Sequence, residues 1–197
     1  MIKAILFDFG GVIAKEGFKN GLQAIARKQG LDPDRFFSAA QDLVYSTGYV
    51  IGQADEAAYW EVIRKETGLK IGDAQLRQEV LNRFIVRPAM LDLVQDLKKK
   101  GFLVGILSDQ SNWLEELDQK YDFLRHFDRI FNSYHLHKSK KDPSLFRDVC
   151  TLLGVDPQEV LFIDDNLGNT ERASSKGLKT IHFREVAAFR EDLYKIL

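Results

Sequence analysis

The sequence predicts an α/β fold: a doubly wound parallel sheet with a small all-helical insertion after its first strand. Two patterns carry this expectation. The short runs Ile2–Phe7, Phe102–Leu107, Val160–Ile163 and Thr180–Phe183 are nearly continuously apolar, as strands are when a parallel sheet is covered on both faces. Arg129–Phe131 is a weaker run of the same kind. Helical patterns separate the later runs. Met90, Leu93, Val94 and Leu97 recur at i, i+3, i+4, i+7 between Pro88 and Gly101, the usual punctuation at the two ends of a helix. Asp142-Pro143 opens a second helix, in which Leu145, Phe146, Val149, Cys150 and Leu153 share one face and Gly154 closes the pattern. Strands that alternate with helices imply right-handed crossovers, and place the ligand crevice at the carboxyl ends of the strands.

From Glu16 to Arg87 the alternation stops and only helical patterns remain, near Phe18–Gln29, Asp34–Thr47, Asp55–Thr67 and Asp73–Phe84. The chain is therefore expected to divide into an α/β core of residues 1–15 and 88–197 and a helical insertion of residues 16–87. Phe36, Phe37, Tyr45, Tyr59, Trp60 and Phe84 are expected to pack the insertion together, because aromatics in helical stripes are usually interior.

Composition removes several classes of function. With 28 basic and 29 acidic residues the net charge is −1, so no bulk charge draws the chain to nucleic acid or to an anionic membrane. The run Lys98-Lys99-Lys100 closes a helix, where cations are favourable without any ligand. No apolar run approaches the length of a membrane span or of a signal sequence. The lone Cys150 permits no intrachain disulfide, which indicates a reducing, cytoplasmic setting. His126, His135, His137 and His182 have neither cysteine support nor an i, i+4 pair, so a zinc site is not indicated.

Polar residues cluster where the apolar strands end. Ile2–Phe7 is followed by Asp8-Phe9-Gly10-Gly11-Val12, Val104–Leu107 by Ser108-Asp109, and Val160–Ile163 by Asp164-Asp165; Lys140 precedes the helix opened by Asp142-Pro143. Together these supply a carboxylate nucleophile, peptide N–H groups, a hydroxyl donor, a fixed cation and further carboxylates suited to a hard divalent ion. Phosphoryl transfer needs little more than in-line positioning and charge neutralisation, which this set offers.

These four segments resemble, in order, the motifs of the haloacid dehalogenase superfamily, specifically its phosphatases with a helical cap inserted after the first strand. The first motif of that family is Asp-x-Asp-x-[Thr/Val], occupied here by Asp8-Phe9-Gly10-Gly11-Val12. The second resembles Ile106-Leu107-Ser108-Asp109, the third Lys140-Lys141-Asp142-Pro143 and the fourth Phe162-Ile163-Asp164-Asp165-Asn166. The resemblance implies that Asp8 attacks phosphorus to give an aspartyl-phosphate that water then hydrolyses. It implies Mg²⁺ held by Asp8, the Gly10 carbonyl and Asp165, with Asp164 as a water-mediated or outer partner. Ser108 and the N–H groups around Gly11 and Asp109 would hold phosphoryl oxygens, and Lys140 would neutralise charge. The substrate expected is a small phosphorylated metabolite. Residues 16–87 would be the cap that selects its leaving group.

Three departures qualify the resemblance. Lys141 replaces the usual proline, and His137 replaces a common glycine. Gly10 stands where the family places a second aspartate that protonates the leaving oxygen and activates water, a contribution of ~10²–10⁴ in rate. Without it the expected substrates are esters with good leaving groups, such as sugar 1-phosphates. Two other readings use the same scaffold: a metal-independent dehalogenase in which Asp8 attacks carbon, and a catalytically impaired binding or regulatory protein.

Overall fold

A computed structural model describes all residues from Met1 to Leu197. The chain runs β1 (Ala4–Phe7), α1 (Phe18–Lys28), α2 (Pro33–Ser46), α3 (Glu56–Thr67), α4 (Asp73–Leu81), α5 (Pro88–Lys99), β2 (Leu103–Ser108), α6 (Trp113–Tyr121), β3 (Arg129–Asn132), α7 (Ser133–Leu136), α8 (Ser144–Leu153), β4 (Val160–Asp164), α9 (Leu167–Ser175), β5 (Lys179–His182) and α10 (Val186–Ile196). The five strands form one parallel sheet in the order β3-β2-β1-β4-β5, the doubly wound arrangement expected from the sequence. The weak run at Arg129 is a genuine edge strand. Element boundaries differ from expectation by up to three residues. Ser108 and Asp164 are the last residues of their strands, not the first residues after them.

The strand order reverses between β1 and β4, the switch point at which α/β sheets open a ligand crevice. Phe7 pairs with Ile106 on one side and with Ile163 on the other. Register alone therefore sets Asp8 level with Leu107 and Asp164, and brings Ser108 one residue further along the neighbouring strand.

The helical segment follows from local signals. Asp32 caps α2, accepting the Arg35 N–H at 2.8 Å, with Pro33 in the first turn. Asp55 caps α3 by accepting the Ala58 N–H at 2.8 Å. α4 ends at Leu81, short of the expected Phe84. Phe36, Tyr59, Trp60 and Phe84 are buried as expected; Tyr59 packs within the segment, on Tyr49 at 5.3 Å and Trp60 at 4.8 Å, while Phe84 and Trp60 also reach beyond it. Phe84 stacks on Phe9 at 5.7 Å between ring centroids, and Phe9 stacks in turn on Phe123 at 4.7 Å. Trp60 meets Trp113 of α6 at 6.0 Å. One apolar cluster therefore runs from the sheet into the helical segment, so the segment is seated on the sheet by buried aromatic surface.

The two ends of the segment are tied to each other beside β1. Ala14 forms an isolated antiparallel bridge with Val86. Arg87 Nη1 donates to the carbonyls of Gly11 at 2.9 Å, Val12 at 2.8 Å and Ala14 at 2.6 Å. Bonds from a charged donor are the stronger kind, and carbonyls left without a partner cost more than a simple deletion. Arg87→Met is therefore expected to lower unfolding stability by about 2 kcal/mol or more, measured as the shift of a urea-unfolding midpoint. An unshifted midpoint would show that the clamp carries no net stability.

Candidate active site

Asp8 leaves the carboxyl end of β1 only 8% exposed. Its Oδ1 accepts the Phe9 N–H at 2.7 Å and the Ser108 hydroxyl at 2.6 Å. Its Oδ2 lies 3.1 Å from Lys140 Nζ. Lys140 is 1% exposed and makes a second ion pair with Asp164 Oδ2 at 2.6 Å. Its backbone is held at both faces: its N–H donates to Asp109 Oδ1 at 2.8 Å, and its carbonyl accepts from Arg172 Nε at 2.9 Å. Asp164 is fully buried and its oxygens are engaged, Oδ2 also by Asn169 Nδ2 at 2.9 Å and Oδ1 by the Asn166 N–H at 2.7 Å.

The expected residues thus converge. One carboxylate oxygen from each of Asp8, Asp164 and Asp165 lies within 4.8 Å of the others, a hard-oxygen donor set of the kind a small divalent cation takes. Gly11 is obligatory beside it. Its φ is +81°, and a Cβ there would stand 2.0 Å from Asp165 Oδ2. Gly10 is different: it has no positive φ, and a Cβ would sit 3.4 Å from both Glu16 Oε2 and Phe84 Cε1. This donor set fits Mg²⁺.

The carboxyl groups of the site are perturbed by burial and by one another. Burial pushes the Asp8 carboxyl well above the usual range; Asp164 and Asp165 push the same way, against Lys140 and the Ser108 hydrogen bond. Burial, with Asp164 and Glu16 nearby, raises Asp165 to about 6. Burial works to lower Lys140, yet the carboxylates of Asp164, Asp8 and Asp109 outweigh it and hold the ammonium charged.

A cavity of about 400 Å³ opens above these groups. Here one expectation is only partly met. Phe37 and Tyr45 pack against the edge of the core, Phe37 with its ring 6.3 Å from that of Phe18, but they are half-buried and also line this cavity. Phe84, though buried, lines it as well. The aromatic pattern marked a buried face but could not show that part of that face looks into a cleft. The Tyr45 hydroxyl donates to Asp109 Oδ2 at 3.0 Å, which connects α2 to the residue that holds the Lys140 backbone. Lys141 Nζ lies 3.5 Å from the Tyr45 ring centroid, so the residue in the usual proline's place packs against the helical segment. His137 takes φ +52°, the left-handed conformation that accounts for glycine at that position. Its Nδ1–H donates to the Ile51 carbonyl at 2.9 Å.

Several site residues had no sequence signal. Glu16, Arg87, Asn169 and Arg172 belong to no motif; only the fold brings them in. Glu16 Oε1 accepts the Lys19 N–H at 2.8 Å, and burial raises its carboxyl pKa. The other histidines have separate partners: His135 with Glu115 at 2.8 Å, His126 with Gln95 at 3.1 Å, and His182 with the Asp165 carbonyl at 2.9 Å.

Comparison with known proteins gives the family. Residues 2–171 match the family of haloacid dehalogenase-like hydrolases, and the chain belongs to that family. Among its relatives, bifunctional epoxide hydrolase 2 of Rattus norvegicus is 32% identical over 60% of this chain. The chain spans only 22% of that protein's length. D-ribitol-5-phosphate phosphatase of Bacteroides thetaiotaomicron is 26% identical over 100% of this chain and 99% of its own. Among solved structures, a HAD family enzyme of the same organism, crystallised with magnesium and inorganic phosphate, superposes with a TM-score of 0.74. It has 23% identity over 93% of this chain and 95% of its own, a likeness of fold.

The raised Asp165 pKa has a measurable sign. A carboxyl whose pKa rises from 3.8 to about 6 on folding binds its proton more tightly in the folded state, so its contribution to stability falls as pH rises through that window. The melting temperature of the metal-free wild type relative to Asp165→Asn should therefore fall between about pH 4 and pH 6. A difference independent of pH would show that Asp165 is not perturbed.

Proposed function

We propose that this chain is a magnesium-dependent phosphatase that hydrolyses a small phosphorylated metabolite through an aspartyl-phosphate on Asp8. The observation that carries the reading is the placement of Asp8 between the Lys140 ammonium, the Ser108 hydroxyl and the Asp164-Asp165 pair at the floor of one cavity. Matches to D-ribitol-5-phosphate phosphatase and to N-acetylmuramic acid 6-phosphate phosphatase of Pseudomonas aeruginosa, the latter 27% identical over 93% of this chain, support it. Neither names the substrate here. A cytoplasmic setting fits the unpaired, buried Cys150, and no helix is long and apolar enough to cross a membrane.

In this reading Asp8 attacks phosphorus, the bond to the leaving oxygen breaks, and water then attacks the aspartyl-phosphate to release inorganic phosphate and restore the carboxylate. Lys140 holds a positive charge against Asp8 and the transferring group, which keeps a carboxylate usable beside a dianion. Ser108, whose hydroxyl donates to Asp8, would donate instead to a phosphoryl oxygen, as would the N–H groups of Gly11 and Asp109. Mg²⁺, held by Asp8, the Gly10 carbonyl and Asp165, would supply charge neutralisation on the phosphoryl group. Asp164 stands behind as the partner of Lys140. Residues 16–87 act as the cap, with Phe37, Tyr45 and Val44 facing the part of the substrate that leaves.

The dehalogenase alternative shares the fold, and dehalogenase crystal structures superpose on this chain at TM-scores of 0.66 and 0.70. It has no use for the Asp8, Asp164 and Asp165 donor set.

Two outcomes test the proposal. Turnover of an aryl phosphate should require magnesium, stop with chelator and vanish in Asp8→Asn; phosphate turnover in excess chelator would overturn the magnesium requirement, and chelator-insensitive release of halide from a haloacid with no phosphate turnover would favour the dehalogenase reading. The acidic pair should divide its effects. Asp165→Ala should keep the fold and lose activity. Asp164→Ala should lose stability by about 3–5 kcal/mol, because it strips a partner from a buried ammonium, read from denaturant unfolding of both variants. Equal stability of the two variants would contradict the separate duties given to the pair.

A further inference from the structure

A departing alkoxide needs a proton, and the attacking water must later give one up, so a phosphatase built on Asp8 needs a second acid–base group facing the leaving oxygen. The titratable side chains of the cavity are Asp8, Glu16, Lys19, Tyr45, Tyr49, Asp109, Lys140 and Asp165. Most already have a duty. Asp8 is the nucleophile and Asp165 faces the cation. Asp109 spends one oxygen on the Lys140 N–H and the other on the Tyr45 hydroxyl, which also occupies Tyr45. The Tyr49 hydroxyl donates to Asn112 at 2.7 Å. Lys140 bridges Asp8 and Asp164. Lys19 is exposed and lies over the Phe37 ring at 5.4 Å.

Glu16 remains, and its place is telling. Its Oε1 is fixed by the Lys19 N–H at the start of α1, while Oε2 comes within 3.4 Å of where a Cβ on Gly10 would stand. The Glu16 carboxylate thus reaches, from the first residue of the helical segment, the space that a side chain at position 10 would enter. A glycine at position 10 leaves that space open to it.

We propose that Glu16 is the general acid and base of the phosphatase reaction, taking the part for which position 10 has no side chain. In the first step the Glu16 carboxylic acid gives its proton to the leaving oxygen as the bond from phosphorus to that oxygen breaks, releasing an alcohol. In the second, the Glu16 carboxylate takes a proton from water as the water oxygen bonds to phosphorus and the bond to Asp8 breaks. Net consumption is one ester and one water, and both side chains return to their starting states. The inference rests on the phosphatase reading above. It replaces the preference for good leaving groups expected from Gly10 alone: the wild type should hydrolyse alkyl phosphates as well as aryl ones, and the preference should appear only when Glu16 is disabled.

Gln at position 16 keeps an oxygen to accept the Lys19 N–H, so Glu16→Gln preserves the α1 start while removing the proton. The swap variant Gly10→Asp/Glu16→Gln returns a carboxylate to the same space from the other side, on a backbone that needs no positive φ at position 10. The experiment is kcat/KM across phosphate esters of graded leaving-group pKa, from para-nitrophenyl phosphate to glycerol phosphate, with magnesium, in the wild type, Glu16→Gln and the swap variant. Glu16→Gln is expected to lose ~10²–10⁴ on alkyl esters and far less on aryl ones, with the swap variant recovering alkyl turnover. An equal loss on all esters, or no loss on alkyl esters, would overturn the assignment while leaving the phosphatase reading intact. A wild type that hydrolyses no ester in the series overturns both.

Discussion

The buried ammonium of Lys140 is the constraint around which the site is organised. A lone charge so far from water is costly, and it is tolerated here because carboxylates at 3.1 Å and 2.6 Å compensate it. Each partner then acquires a fixed position. Asp8 is held between Lys140 and Ser108, Asp164 is drawn fully into the interior, and Asp109 is aligned by the Lys140 N–H. In the proposed reaction the same ammonium that stabilises the folded site would offset the charge of a phosphoryl group. Three neighbouring carboxylates against one cation still leave an excess of negative charge, which adds to burial, the main cause, in raising the Asp8 and Asp165 pKa values. A divalent cation would relieve that excess, which is why the site's metal affinity and its pH behaviour should be linked.

Topology delivers these groups and close packing refines them. Parallel register sets Asp8, Ser108 and Asp164 on adjacent strand ends without help from loops. What register cannot supply is the approach of Asp165 to the turn after β1; that depends on Gly11, where any side chain would collide with the carboxylate. Arg87 then secures the carbonyls of this turn from the far end of the helical segment. The segment is therefore coupled to the site at several points: the Arg87 clamp, the Tyr45 to Asp109 bond and the aromatic stack of Phe84 on Phe9. A helical segment fastened in this way would transmit its position directly to the turn that carries Asp8.

Most of the fold was legible because parallel strands covered on both faces write themselves as apolar runs, and the helices between them carry caps and periodic faces. The strand-end residues were legible for the same reason: once β1, β2 and β4 are placed, Asp8, Ser108 and Asp164-Asp165 must face one crevice. The second role of Phe37 and Tyr45, which pack on the core and also line the cavity, was hidden because periodicity separates a buried face from an exposed one but does not distinguish packed interior from cavity wall. Glu16 was invisible for a further reason. It lies in an irregular stretch before α1, and its meaning depends on the missing side chain of Gly10, a relation in space between two residues that no local pattern contains.

The central claim is that the phosphoryl group passes through the carboxylate of Asp8. It is tested most directly by quenching the wild-type protein with acid during turnover of a phosphate ester with magnesium, reducing with borohydride and mapping the peptides by mass spectrometry. An aspartyl-phosphate is reduced to homoserine, so the account predicts homoserine at position 8 only, and only when substrate is present. Homoserine at a different aspartate, or release of inorganic phosphate with every carboxylate intact, would contradict it.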